Sequence, residues 1–188
     1  MTPEERAVLE RARVATLATA DGDGRPHAVP ICYAVLDRED AGGDSTSDSG
    51  HDLRLVSAID EKPKSTRDLR RVRDVRANPH ATVLVDYYSE DWSRLAWVQV
   101  RGRARVVPPD GDAEAGDAER RTDASSHDAA VAALESKYDQ YAGHDLSERA
   151  VIEIRVVRTL SWGALEEYAE GGEDAADGRS AAEDYDAE

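Results

Sequence analysis

Two lysines one residue apart, Lys62 and Lys64, with Ser65 beside them, are the residues of this chain best suited to hold a phosphate. The chain has three lysines in all, the third being Lys137, against a formal net charge of -16. The pair follows a stretch of strand character, Leu53 to Ala58, and precedes one of helical spacing. Ser65 or Thr66 is predicted to cap that helix. A helix N-terminus presents unpaired backbone N–H groups and the positive end of the helix dipole. Two ammonium groups beside such an end make an anion site. A solvated loop is the competing reading of the same residues.

Other chemistries find no set of residues to carry them. The five histidines, His27, His51, His80, His127 and His144, lack metal-ligand spacing. No Ser-His-Asp or Cys-His set, P-loop or Gly-x-Gly-x-x-Gly is present, and Cys32 lies mid-strand without a basic neighbour. No metal and no covalent catalyst borne by the protein are expected, and no catalytic residue is assigned.

Composition narrows the setting. A chain of 188 residues suits one domain with a proper core. Forty acidic residues face 24 basic ones, nearly all of them arginine, with no Phe and one Met. Such a balance suits a halophilic protein working in molar salt, where the Debye length falls to roughly 3 Å and carboxylate repulsion is screened. The bland alternative is an acidic protein of an ordinary cell. Phosphates would be repelled by this charge, so nucleic acid is not an expected partner. The first residues lack a signal-peptide pattern, and no apolar stretch approaches a membrane span. The protein is expected to be soluble and cytoplasmic, with no membrane partner.

The elements that must position Lys62 and Lys64 can be read in order. Thr2-Pro3-Glu4-Glu5 is a capping box that opens a helix through about Ala12, so residues 1–12 form an N-terminal helix. Val14 to Thr19 alternates as a first strand, and Asp21-Gly22-Asp23-Gly24 turns it into a second, His27 to Leu36. Pro30 inside that strand implies an edge, a bulge or a backbone faced by something other than a strand. Residues 37–52 read as an acidic loop insertion, then Leu53 to Ala58 as the third strand. Leu69, Val72 and Val75 share one face of the helix that Asn78-Pro79 ends. Ala81 to Asp86 and Trp97 to Val107 are the fourth and fifth strands, Gly102 marking a bulge. Residues 108–126 read as a second acidic loop, His127 to Tyr141 as an amphipathic helix and Val151 to Trp162 as the sixth strand. Residues 13–165 thus form the core domain, and 166–188 an acidic tail expected to be disordered. Six mostly antiparallel strands with short covering helices describe a mainly β (α+β) protein, a small barrel.

Several runs carry a specific resemblance. Asp-Gly-Arg-Pro-His-Ala-Val-Pro at 23–30, strand Leu53 to Ala58, Lys62-Pro63-Lys64-Ser65, Leu69 and Asn78-Pro79 resemble the pyridoxamine 5'-phosphate oxidase-like family of FMN-binding split β-barrels. Lys-Pro-Lys-Ser-Thr, Asp86 to Leu95 and Trp97-Val98 are similar to its branch associated with the deazaflavin coenzyme F420. The resemblance covers about Arg13 to Gly163 and implies a six-stranded split barrel acting as a homodimer, with cofactor at the subunit interface. It implies that Lys62 and Lys64 hold the cofactor phosphate with Ser65 assisting. The backbone of Val29, Pro30 and Ile31 would line the ring, and Ser57, Ala58 and Ile59 would lead to the phosphate. Gln99 stands where many relatives carry Arg, which leaves FMN as the alternative to F420.

The implied activity is hydride transfer between the deazaflavin and a small organic substrate. An FMN-binding oxidoreductase and a non-catalytic cofactor carrier are the rival readings. Trp92 and Trp97 are either interface aromatics or ring-facing groups, and one of Tyr87 and Tyr88 must face out of its strand. Arg94 either reaches a polyanionic cofactor tail or, the favoured reading, pairs with an acidic neighbour.

Overall fold

The capping box forms as its residues dictate. Glu5 N–H donates to Thr2 Oγ1, and Thr2 N–H to Glu5 Oε2, at the start of α1 (Pro3–Arg11). The structure, a computed structural model, describes residues 1–37, 53–59, 69–109 and 117–170, with backbone only for 117–125 and 170. Lys62, Lys64, Ser65, most of the first acidic insertion and the tail from 171 lie outside the described residues.

Seven strands follow: β1 (Ala15–Ala20), β2 (Pro26–Ile31), β3 (Ala34–Leu36), β4 (Arg54–Ala58), β5 (His80–Tyr87), β6 (Ala96–Val107) and β7 (Val151–Gly163). All described pairings are antiparallel, in the order β2-β1-β5-β6-β7-β4-β3. The two edges, β2 and β3, are separated in the chain by only Cys32 and Tyr33. Three peptide steps reach at most about 11 Å. A flat sheet of this order would hold its edge strands roughly 29 Å apart. The sheet therefore curls into a half-barrel.

Seven strands replace the expected six because the second predicted strand breaks at Tyr33. The Tyr33 N–H donates to the Tyr138 hydroxyl at 2.9 Å, and the Tyr33 hydroxyl donates to the Leu9 carbonyl at 2.6 Å. With its donor spent there, the backbone leaves β1 and resumes pairing on β4. Pro30 lies on an edge strand, as a missing ladder donor requires.

The main core fills the half-barrel. Leu17, Val83, Val98, Val100 and Ile154 point inward beneath Val8 and Leu9 of α1 and Val72 and Val75 of α2 (Arg70–Ala77). A second cluster joins Val56, Ala58, Val107 and Val151 to Ala130 and Leu134 of α3 (Asp117–Lys137) and to Tyr138 just after it. This helix starts ten residues before the predicted one, so 117–126 is not loop: Ala and Arg among the aspartates suffice for helix. A short 3-10 turn, Asp139–Gly143, follows it. At the other end α4 (Leu165–Glu170) sets the Tyr168 ring 5.2 Å from Tyr87, which makes the segment to 170 part of the fold. Helix α2 begins at Arg70 with Leu69 in the cap position and no side-chain cap, so neither Ser65 nor Thr66 caps it.

Gly102 sits at the predicted bulge. The β6–β7 register slips beside it, from Arg101 opposite Arg158 to Gly102 opposite Val156, leaving Val157 as the extra residue. A Cβ at Gly102 would overlap the Arg155 carbonyl and meet Ile154 Cγ2 at 2.6 Å.

Candidate functional site

Alternation puts every second residue of β1, β2, β5 and β6 on the outer face of the half-barrel. Register then aligns them in rows. Pro30 lies opposite Thr16, Thr16 opposite Leu84, Leu84 opposite Gln99, and Gln99 opposite Leu160. The next row toward the open end pairs Asp86 with Trp97 and Trp97 with Trp162, whose ring is 56% exposed. This strip is mostly apolar, with the Gln99 amide in its middle, the Thr16 hydroxyl between Pro30 and Leu84, and the exposed Asp86 carboxylate at its rim. A planar, weakly polar ring fits such a surface.

Two of the cofactor-site candidates, Pro30 and Gln99, therefore share one row. Val29 and Ile31 turn inward, Ile31 into the main core, which leaves their backbone to line a ligand on the free edge of β2. Gln99 is not isolated: its Oε1 accepts from Arg101 Nε at 3.0 Å. A guanidinium is thereby tethered to the amide of that row, one outward position along β6.

Ser57, Ala58 and Ile59 lie elsewhere. Ser57 is opposite Ile152, itself opposite Val106, seven residues along β6 from Gln99 and so roughly 23 Å away. Ser57 is buried on the inner side, Ala58 packs toward the α3 cluster, and the Ile59 N–H donates to the Ala150 carbonyl at 3.2 Å. Beside this strand end is a depression of about 340 Å³ lined by Val75, Arg76, Ala104, Arg105, Pro108 and Ala150 among others. One chain thus holds the candidates in two groups, the ring row and the β4 end that leads into the Lys62–Ser65 segment.

The structure places the aromatic and arginine candidates as follows. Arg94 pairs with Glu167 at 3.3 Å, the expected neighbour pairing. Tyr87 packs inward on Tyr168, while Tyr88 and Trp92 are exposed, at 65% and 73%. Trp97 is half-buried on the outer face.

Sequence reasoning missed three groups. Glu153 is buried on β7, accepting from Arg54 Nη1 at 3.1 Å and Arg105 Nε at 2.8 Å. Burial works to raise its pKa, but the Arg105 bond and the two guanidinium charges outweigh it and hold the carboxyl below the usual range. Lys137 lies with Nζ 4.2 Å from the Tyr33 ring centre and bonded to the Leu9 carbonyl. Burial, then the charge of Arg13, lowers its pKa to about 8. Asp74, on the buried side of α2, accepts from the Thr19 hydroxyl at 2.9 Å. Alternation in the sequence places Glu153 and Thr19 on strands, but their partners lie 48 to 99 and 55 residues away. None of the described helices is long and apolar enough to cross a membrane.

Comparison with known proteins agrees with this architecture. Among solved structures the fold is similar to that of a conserved hypothetical protein of Mycobacterium tuberculosis (21% identity, 87% of this chain and 85% of that one, TM-score 0.54). A FAD-binding protein of Mesorhizobium loti aligns with 24% identity over 86% of this chain and 94% of its own, TM-score 0.50. A heme-binding protein of Mycobacterium smegmatis aligns with 22% identity over 90% of this chain and 61% of its own, TM-score 0.51. Identities this low speak for the fold alone. No curated protein matches by sequence. The sequence model of the family described as pyridoxamine 5'-phosphate oxidase matches residues 1–163, and the chain belongs to that family.

Proposed function

We propose that this chain is an oxidoreductase that binds coenzyme F420 at a homodimer interface and moves a hydride between it and a small organic molecule. The observation that carries the reading is the division of the candidate residues within one chain. The mostly apolar row of Pro30, Leu84, Gln99 and Leu160 suits a ring, while Ser57–Ile59, which precede the two lysines in the sequence, lie some 23 Å from it by strand length. A second copy seated on the outer face would bring one chain's row beside the other's lysines. Trp162 and Val157, 56% and 68% exposed on that side, are the kind of apolar surface that a monomer rarely leaves bare.

In this reading Lys62 and Lys64, with Ser65, hold the phosphate, and Pro30 with the backbone of Val29 and Ile31 supports the ring. Gln99 offers the ring edge an amide, and Trp97 and Trp162 exclude water. The deazaflavin, when bound, supplies the hydride chemistry. No side chain is assigned as acid or base. The Arg101 guanidinium beside Gln99 would serve FMN as readily as F420, so FMN is the second reading.

Purification in concentrated salt, followed by the absorption spectrum and mass of the bound small molecule, tests the proposal. F420 on a dimer is the expected result, FMN would replace the cofactor assignment, and an empty monomer that takes up neither would overturn the reading. The double substitution K62A/K64A should lower cofactor retention while leaving the melting temperature unchanged. Undiminished retention would remove the two lysines from the site.

A further inference from the structure

Below the ring row, β1, β5 and β6 surround a depression of about 300 Å³ on the outer face. Ala18 and Ala20 contribute small side chains, and Asn78, His80, Thr82 and Arg101 bring polar ones. None of its lining residues is acidic, although 40 of the 188 residues in the chain are. The groups present are donors. The Asn78 carbonyl oxygen accepts from the His80 N–H at 3.1 Å, which leaves its NH₂ to donate. Gln99 occupies only Nε of Arg101, and four further guanidinium N–H groups remain.

The charge around this depression runs against that of the chain. Arg101 lies opposite Arg158, and Arg103 lies opposite both Arg155 and His80. All four arginines are exposed, and among the described residues none of them has a carboxylate partner. Like charges directly across a ladder destabilise it. Among the described residues these four meet no acid, while Arg6, Arg25, Arg70 and Arg94 each do.

We propose that this depression is a binding site for a small anion, a molecule bearing phosphate or carboxylate groups, held by Arg101, His80, Asn78 and Thr82. The volume lies at the lower end for ligand pockets, which suits a compact metabolite. The neighbouring arginines Arg103, Arg155 and Arg158 raise the local potential and draw the anion in. The residues that line it are other than Lys62 and Lys64, and the proposal is independent of which cofactor the protein carries.

Calorimetric titration of the full chain with pyrophosphate and with citrate, at one fixed ionic strength, tests it; the two probes separate phosphate from carboxylate recognition. Saturable one-to-one binding of either probe is expected. R101A should weaken it roughly tenfold to a hundredfold, the loss of a charge-assisted contact. T82E, which places a carboxylate in the depression, should abolish it, and K62A/K64A should leave it unchanged. No saturable binding to the native chain would overturn the proposal. So would native affinity retained in both R101A and T82E, or affinity lost in K62A/K64A, which would put the anion on the lysines instead.

Discussion

Replacing Glu153 by alanine is the sharpest test of how the outer face is held together. Glu153 lies on β7 opposite Val56 of β4 and Arg105 of β6, and it ties Arg54 and Arg105 across three strands. Its side chain is 4% exposed, that of Arg54 13%, and that of Arg105 42%. Alanine strands Arg54, whose Nε already lacks a partner. Breaking a buried pair costs about 3–5 kcal/mol. The Arg105 half is open to water and contributes at most about 1 kcal/mol. A loss near the lower bound, about 3 kcal/mol, follows. For a chain of this length that corresponds to a melting temperature roughly 6–12 °C lower.

Thermal and urea unfolding of E153A, R105A and the paired replacement E153L/R54M give the assay. R105A should lose less than about 1 kcal/mol. E153L/R54M should recover most of the loss, because an apolar pair of similar volume removes the stranded charge. The pH dependence has a definite sign. The folded carboxyl lies below the ordinary glutamate value of 4.5, so its stabilisation is complete above 4.5 and disappears as pH falls through the folded value. The gap between the native chain and E153Q should stay flat from neutral pH to about 5 and close below it. A loss under about 1 kcal/mol in E153A, or R105A as costly as E153A, would refute the reasoning.

Two further outcomes are expected. Y138F removes the hydroxyl that accepts from the buried Tyr33 N–H, so it should cost about 1–3 kcal/mol in urea unfolding; an unchanged midpoint would show that the β2–β3 break does not depend on Tyr138. Brief acetylation followed by peptide mapping should label Lys137 with a midpoint near pH 8, because burial and Arg13 favour its neutral amine. R13Q should move that midpoint upward, and labelling that still climbs through pH 10 in the native chain would contradict the desolvated setting.

What was legible in the sequence is what short-range chemistry decides. Thr2 and Glu5 are three residues apart and cap their helix alone, and the strands from Ala15, His80, Ala96 and Val151 follow from alternation. The break at Tyr33 was not legible, because its cause is a hydroxyl 105 residues away. Ser65 looked like a cap since serine is a good one, yet α2 starts at Arg70, behind a leucine that caps nothing with its side chain. Pro30 and Gln99 could each be placed on a strand, but their shared row depends on the register of four strands at once. The separation of Ser57–Ile59 from that row has the same origin, since strand order, not strand identity, sets it.

The arginine face shows how one backbone irregularity can change chemistry. On an unbroken β7, period-two alternation would send Arg158 and Arg155, three residues apart, to opposite faces. The extra residue Val157 shifts the phase, so both are exposed, opposite Arg101 and Arg103. The shift is possible because residue 102 has no side chain: a Cβ there would run into the Arg155 carbonyl and Ile154. Gly102 therefore does more than bend a strand. It lets a chain of net charge -16 gather four arginines on one face, beside the row that carries Pro30 and Gln99. Neutralising the carboxylates elsewhere would leave that face cationic, because it is fixed by register and not by the composition around it.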